Sequence, residues 1–186
     1  YGADHTIKVP ISKKSRKEMP FLNSTYAFKV ARIEPENNIE MVLKAFMNSS
    51  YVLVIVGNWE ASDYGRRLKE SYKREPNIYI LNPIYDQQRL DELRSNCFIY
   101  MHGHSAGGTN PSLVEAMYLG LPIFAYDCPY NQATMEKKGV FFKDADQLRE
   151  AVKSIPIDEI IKIGEEMKEI AERRYTWSVI ARKYAN

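Results

Sequence analysis

This 186-residue sequence lacks the features that mark several large classes of protein. It has only two cysteines, Cys97 and Cys128, and no signal peptide opens it, so we expect reduced thiols and a cytoplasmic location. No apolar run approaches the length that spans a membrane. The net charge of +2 gives no reason to expect a nucleic acid as partner.

Two common nucleotide-binding signatures are also missing. The Gly-Lys-Ser/Thr ending of a Walker loop is absent, and no G-x-G-x-x-G segment follows the first predicted strand. These absences argue against a P-loop enzyme and against a dinucleotide-dependent oxidoreductase. His102 and His104 flank Gly103, but no third ligand stands at a suitable spacing, so we expect no metal site.

Strands and helices are predicted to alternate along most of the chain. Apolar runs predict strands at 26–30, 51–56, 78–81 and 98–101, one that ends at Tyr126, and a weak one at 140–142. Helices are predicted between them, and three more follow at 145–154, 158–174 and 178–184. This alternation predicts an α/β fold, a Rossmann-like, mostly parallel sheet flanked by helices. Residues 1–24 have no clear period and are predicted to be an interdomain linker or arm, followed by a domain over 25–186.

The stretch from Phe98 to Asp127 is the most informative part of the sequence. A strand-length apolar run leads into a glycine-containing loop, after which Asn110 stands at an N-cap position and Pro111 at the first helical position. A helix that begins in this way directs unpaired N–H groups and its positive dipole end to one place, which suits a phosphate. The residues alone leave an ordinary capped helix as an equal alternative, because most helix N-termini bind nothing.

Residues 107–127, GGTNPSLVEAMYLGLPIFAYD, resemble the donor-nucleotide motif of GT-B glycosyltransferases of the family-4 (group 1) class. The form HGHSAGGTNPSLVEAM, residues 102–117, is most similar to the bacterial polysaccharide rhamnosyltransferases in that class. The opening YGAD resembles the end of the first domain of these enzymes. The resemblance therefore implies the carboxy-terminal, nucleotide-sugar-binding half of a longer enzyme, with the amino-terminal acceptor domain absent from this chain.

The resemblance also implies a set of donor-binding residues. Arg32 in ARIEPENN matches the arginine that neutralises the donor diphosphate, whereas Asn37 stands where the family has a lysine. Glu115 matches a glutamate that accepts hydrogen bonds from the ribose, and Gly107 replaces a second glutamate that touches the sugar. The further candidates form three groups. Donors to the diphosphate in the loop and at the helix start are Gly108, Thr109, Asn110 and Ser112; residues that contact the base are Ile84 and Tyr85; and contacts to the sugar or a phosphate are Asn58, His104 and Gly107.

These candidates follow four different predicted strands, whose carboxyl ends meet at one edge of a parallel sheet. We therefore expect them on one rim. From the residues alone, Arg32 is more readily a surface arginine paired with Glu34 or Glu36, whereas Ile84 and Tyr85 belong as readily to an ordinary strand-to-helix loop as to a base-binding site.

The resemblance implies an enzyme that transfers a sugar, rhamnose from TDP-rhamnose, to a saccharide or lipid-linked saccharide acceptor during bacterial surface polysaccharide synthesis. It implies no cofactor and no metal, and peripheral association of the full-length enzyme with the inner face of the membrane. No catalytic residue can be named, and we expect the fragment alone to bind nucleotide weakly and to transfer nothing. Because Asn37 and Gly107 depart from the family pattern, a non-catalytic nucleotide-binding or regulatory module remains the alternative.

Overall fold

The centre of the molecule is a single sheet of six parallel strands in the computed structural model, which describes residues 1–185 apart from the side chain of Tyr184. The strands are β1 (Tyr26–Val30), β2 (Val52–Val56), β3 (Ile78–Leu81), β4 (Ile99–His102), β5 (Ile123–Tyr126) and β6 (Val140–Phe142). Their spatial order is β3-β2-β1-β4-β5-β6, with all neighbours parallel. This doubly wound order confirms the predicted Rossmann-like α/β fold.

Helices cover both faces of the sheet and connect the strands. They are α1 (Lys13–Glu18), α2 (Ile39–Phe46), α3 (Asp63–Tyr72), α4 (Gln87–Ser95), α5 (Pro111–Tyr118), α6 (Pro129–Thr134), α7 (Ala145–Ser154), α8 (Ile157–Arg174) and α9 (Trp177–Ala185), with short 3-10 turns at Pro20–Asn23 and Pro35–Asn37. The sequence did not predict α1 or α6. Each has only six residues, too few to show a helical period.

The strands are apolar on both faces because helices bury both sides of the sheet. Phe28 and Tyr100 pack into one core, and Leu53 and Met101 pack into the other. Lys29 interrupts this pattern in the middle of the β1 sequence YAFKV and is nevertheless only 2% exposed. A buried lysine in a core strand needs an explanation, since burial disfavours its charge.

The first 24 residues lie against the rest of the molecule. Ala3 is fully buried and its N–H donates to the Tyr175 carbonyl at 2.6 Å. A Cβ added to Gly2 would stand 2.5 Å from the Trp177 nitrogen, so this part of the arm contacts the start of α9 closely. Phe21 is buried in the core below β1. The predicted boundary between 24 and 25 stays a prediction.

The two cysteines and Trp177 differ in exposure. Cys97 and Cys128 are both free, as predicted, and both are buried. Trp177 is 48% exposed, and its ring lies near that of Tyr1, with centroids 5.3 Å apart and the ring planes tilted by 57°. Within residues 1–185, no helix combines the length and the apolar character needed to cross a bilayer.

Candidate functional site

The strand order reverses between β1 and β4. From β1 the chain continues to β2 on one side, and from β4 it continues to β5 on the other side. Ligands bind in the crevice at such a point in doubly wound folds, beyond the carboxyl ends of the strands. A cleft of about 390 Å³ lies there. Its walls come from β1 and the segment after it, from β4 and its loop, and from α4 and α5: Lys29, Val30, Ala31, Arg32, Asn37, Leu90, Arg94, His102, His104, Asn110, Pro111, Ser112 and Glu115.

Glu115 lies on the α5 wall of the cleft and is paired with Arg94 from α4. Arg94 is 1% exposed and also holds Asp91, with 2.6 Å between Nη2 and Oδ1. Burial opposes the charge of the Arg94 guanidinium, but Glu115 and the hydrogen-bonded Asp91 raise its pKa above the ordinary value. The result is a buried arginine that fixes the position of the predicted ribose-binding carboxylate.

The amino-terminal arm covers the other oxygen of this carboxylate. The Tyr1 hydroxyl donates a 2.9 Å hydrogen bond to Glu115 Oε1, and His5 Nε2 lies 3.3 Å from the same atom. Burial, followed by the contact with Glu115, raises the pKa of Tyr1. Asp4 Oδ1 secures the arm by accepting a 2.7 Å hydrogen bond from the backbone N–H of Trp177. A ribose hydroxyl that bonds Glu115 Oε1 would therefore displace Tyr1 and His5 from this oxygen or share the oxygen with them.

Arg32 stands on the opposite wall of the cleft, as its position after β1 predicted. Its side chain is 73% exposed and its guanidinium lies 4.0 Å from Glu34 and 3.8 Å from Glu36. These are the two partners that the residues alone suggested. Such exposed pairs contribute about 0–1 kcal/mol, so they leave Arg32 free to turn toward an anion in the cleft.

Asn37 joins the segment after β1 to the loop after β4. Its Nδ2 donates to the Arg32 carbonyl at 2.9 Å and its Oδ1 contacts His104 Nδ1 at 2.9 Å. Asn38 adds a 2.8 Å hydrogen bond from Nδ2 to the Gly103 carbonyl. Asn37 is 5% exposed, so this amide, at a position where the resemblance implies a lysine, acts as a structural bridge between the two loops.

His102, at the end of β4, is 3% exposed and its Nε2 has no hydrogen-bond partner among residues 1–185. Burial, then the nearby charges of Lys29 and His104, lower the pKa of His102 well below its usual value. The ring is therefore neutral near pH 7 and adds no charge to the cleft.

The start of α5 is capped as predicted. Asn110 Oδ1 accepts the Ser112 N–H at 3.0 Å and the Ser112 hydroxyl at 2.8 Å. Asn110 and Ser112 line the cleft, although the N–H and the hydroxyl of Ser112 are already engaged in the cap. Gly107, Gly108 and Thr109 are exposed and lie outside the cleft lining. Both glycines have positive φ, +63° and +33°, a conformation that glycine adopts without strain.

The predicted base-binding residues are placed elsewhere on the rim. Ile84 and Tyr85 line a second depression of about 380 Å³ after β3, and Tyr85 is 90% exposed. Helix α4 connects the two regions, because Arg89 borders the depression and Leu90 borders the cleft. Asn58 is exposed and lines neither. The roles of Ile84, Tyr85 and Asn58 stay predictions.

Sequence analysis missed Lys29 and Arg94. Lys29 had a detectable signal, since a lysine inside an apolar strand of a parallel sheet is unusual. Arg94 had none, because its position in a polar helix does not reveal that it is buried. In the part of the chain that the structure describes, no three His, Cys, Asp or Glu residues are grouped to hold a metal ion.

Comparison with known proteins adds a family and a set of similar structures. Residues 11–177 match the family model described as "Glycosyl transferases group 1". Sucrose-phosphate synthase from Thermosynechococcus elongatus superposes with a TM-score of 0.80 at 19% identity, over 100% of this chain and 49% of that one. Anabaena Alr3699/HepE in complex with UDP-glucose gives 0.80 at 17% identity, over 97% of this chain and 54% of that one.

A third structure matches along its whole length. It is the C-terminal domain of the group 1 glycosyl transferase LpcC from Francisella tularensis, with a TM-score of 0.73 at 13% identity, over 95% of this chain and 99% of that one. By contrast, this chain spans about half the length of the sucrose-phosphate synthase and HepE chains. At these identities the likeness to each structure concerns the fold.

Proposed function

Because this chain belongs to the group 1 glycosyl transferase family, we propose that its cleft binds the nucleoside-diphosphate part of a sugar donor. The observation that carries the proposal is the cleft at the reversal of strand order, with Arg32 and the α5 N-terminus on its walls and Glu115 beside them. A similar structure was solved with UDP-glucose, which supports this class of ligand.

In this proposal the chain acts on the donor by binding and by charge. Arg32 and the N-terminal end of α5 stabilise the diphosphate as it leaves the sugar and gains negative charge. Glu115, held by Arg94, accepts hydrogen bonds from the ribose in place of those from Tyr1 and His5. No metal or other cofactor takes part, and the general base lies outside the residues assigned here.

The full enzyme that we propose transfers rhamnose from TDP-rhamnose to a saccharide or lipid-linked saccharide of a bacterial surface polysaccharide. The support is the resemblance of residues 102–117 to rhamnosyltransferases. We place the enzyme in the cytoplasm, at the inner face of the membrane, with the acceptor held by an amino-terminal domain. This chain alone is then expected to transfer nothing, and turnover by the isolated chain would contradict that assignment.

Three observations favour a second function, that of a nucleotide-binding module without transfer activity. Arg32 faces Glu34 and Glu36, Asn37 carries no charge, and Gly107 has no side chain to touch a sugar. A transfer assay with the full-length protein and TDP-rhamnose separates the two functions. Product formation supports the enzyme, whereas donor binding without product supports the module.

The donor site is tested by calorimetric titration of the chain with TDP, UDP and GDP. We expect binding that Glu115→Gln weakens roughly ten- to hundredfold, because one charge-assisted hydrogen bond contributes about 1.5–3 kcal/mol. Glutamine keeps an oxygen for Arg94, so this variant spares the fold. Arg32→Ala is expected to weaken binding by a similar factor.

Arg66→Ala is the matched control for Arg32→Ala. Arg66 is also exposed and paired with a nearby carboxylate, Asp63, but it lies on α3 outside the cleft. The affinity of the Arg66→Ala chain for nucleotide should equal that of the native chain. Binding of none of the three nucleotides, or binding that neither cleft variant affects, would contradict the proposed site.

A further inference from the structure

Lys29 is a feature of the cleft that neither the family pattern nor the packing of the core explains. It comes from β1, is 2% exposed and lines the cleft. Its Nζ lies beneath the loop after β4, 3.2 Å from the place where a Cβ on Gly103 would stand. Lysine is almost never fully buried without a partner, because its charge loses the solvation of water.

No partner is present among residues 1–185, since Lys29 makes neither an ion pair nor a side-chain hydrogen bond there. Lys29 is also one of the residues that line the cleft, which is where a ligand would meet it. The buried ammonium is therefore a hydrogen-bond donor with unused capacity.

The surroundings of Lys29 favour an anion. The neutral ring of His102 and the amide of Asn37 are uncharged, and the carboxylate of Glu115 is already paired with Arg94. The surrounding elements carry these titratable or charged groups: His102 and His104 on β4 and its loop, Arg32 and Glu36 after β1, Arg94 on α4, and Glu115 on α5. The cleft thus has two cations without a buried counter-ion, Lys29 and Arg32.

We propose that Lys29 is the second cation of the donor site and binds an anionic oxygen of the donor's diphosphate, in place of the lysine that is missing at Asn37. The inference rests on the proposed function, because the ligand is the diphosphate of that donor. Asn37 is committed to bridging two loops, so the charge reaches the cleft from the strand beneath it.

This role predicts opposite effects of one substitution on stability and on binding. Lys29→Met keeps the length of the side chain and removes a buried charge that no described residue compensates, so the empty protein should gain thermal stability. The same change removes a charge-assisted hydrogen bond to the ligand, so the affinity for a diphosphate should fall roughly ten- to hundredfold. A purely structural lysine would not give this pair of effects.

The experiment measures both quantities in the native chain, in Lys29→Met and in Lys44→Met. Lys44 lies on α2, is 54% exposed and is absent from the cleft lining, so its substitution controls for the loss of a lysine charge. Inorganic pyrophosphate and UDP are each titrated by calorimetry, and the melting temperature of each protein is recorded with and without pyrophosphate. We expect weaker binding and a higher melting temperature without ligand for Lys29→Met alone.

A second readout follows the proton on Lys29. Burial lowers the pKa of Lys29 to about 7, and a bound anion would raise it again. Binding at pH 7.5 should therefore take up more protons in the native chain than in Lys29→Met, which calorimetry in two buffers of different ionisation enthalpy detects. Since the depressed pKa makes the folded state bind fewer protons than the unfolded state above pH 7, the stability advantage of Lys29→Met should shrink as the pH rises toward 10.

The outcomes separate this inference from the proposed function. If UDP binds equally well to the native chain and to Lys29→Met, the role of Lys29 is wrong and the donor site stands. If UDP does not bind but pyrophosphate binds in a Lys29-dependent way, the nucleotide proposal is wrong and the anion site stands. If neither ligand binds to the native chain, both are overturned.

Discussion

Replacing Arg94 by alanine is expected to lower the free energy of unfolding by about 3–5 kcal/mol, the range for removing one partner of a buried ion pair. Asp91 is 5% exposed and would lose its cation in a buried site, and Glu115 would lose it at the edge of the cleft. The carboxylates have no other arginine or lysine partner in the described range. Equilibrium unfolding in urea, followed by circular dichroism, measures the change.

Arg66→Ala gives a closely matched comparison. Arg66 pairs with Asp63 at the same helical spacing and the same 2.6 Å distance as the pair of Arg94 and Asp91, but its side chain is 50% exposed instead of 1%. An exposed pair contributes at most about 1 kcal/mol, so the free energy of unfolding of this variant should be close to that of the native chain. Equal losses for the two variants would mean that burial does not decide the effect of these pairs.

Gly103→Ala is expected to disrupt the cleft. The added Cβ would stand 2.3 Å from the carbonyl oxygen of Asn37, which is backbone and cannot turn aside. The turn at Pro35–Asn37 and the loop after β4 would have to separate, which moves Arg32 relative to α5. We expect a stability loss of about 1–3 kcal/mol from overpacking and a more than tenfold loss of UDP affinity.

Gly120→Ala separates these two effects. Gly120 ends α5 far from the N-terminal end of that helix and has a φ of +71°, while a Cβ there would meet its nearest neighbour at an ordinary 3.5 Å. The left-handed conformation makes alanine unfavourable by roughly 1–3 kcal/mol, so the stability loss should be comparable. UDP affinity, measured by calorimetry below the melting temperature, should not change. A parallel loss of affinity in both variants would show that lower stability, and not the displaced loops, weakens binding.

The sequence predicted the sheet well because most residues of each strand form a short apolar run bounded by turn residues, even though Lys29 interrupts β1. The long helices were found for a similar reason, since their apolar positions recur at helical spacing in α2 and α8. The N-cap at Asn110 was identified because capping depends on residues that are adjacent in the chain.

The cleft was only partly predictable because its contacts join residues that are distant in sequence. Arg32, Asn110, Ser112 and Glu115 were named in advance and do line it. Arg94 could not be assigned, because its role depends on the packing of α4 beside α5. The contact of Tyr1 with Glu115 joins residues 114 positions apart in the chain and has no local signature.

The contact between Tyr1 and Trp177 has a spectroscopic consequence. The chain has two tryptophans: Trp59 is fully buried, and half-exposed Trp177 lies 5.3 Å from the ring of Tyr1, which in turn donates to Glu115 in the cleft. We expect a ligand that takes the Glu115 oxygen to release the Tyr1 hydroxyl and so to change the solvent contact of the Trp177 indole. Its arrival is then visible as a change in intrinsic fluorescence, against a constant background from Trp59 and without any attached dye.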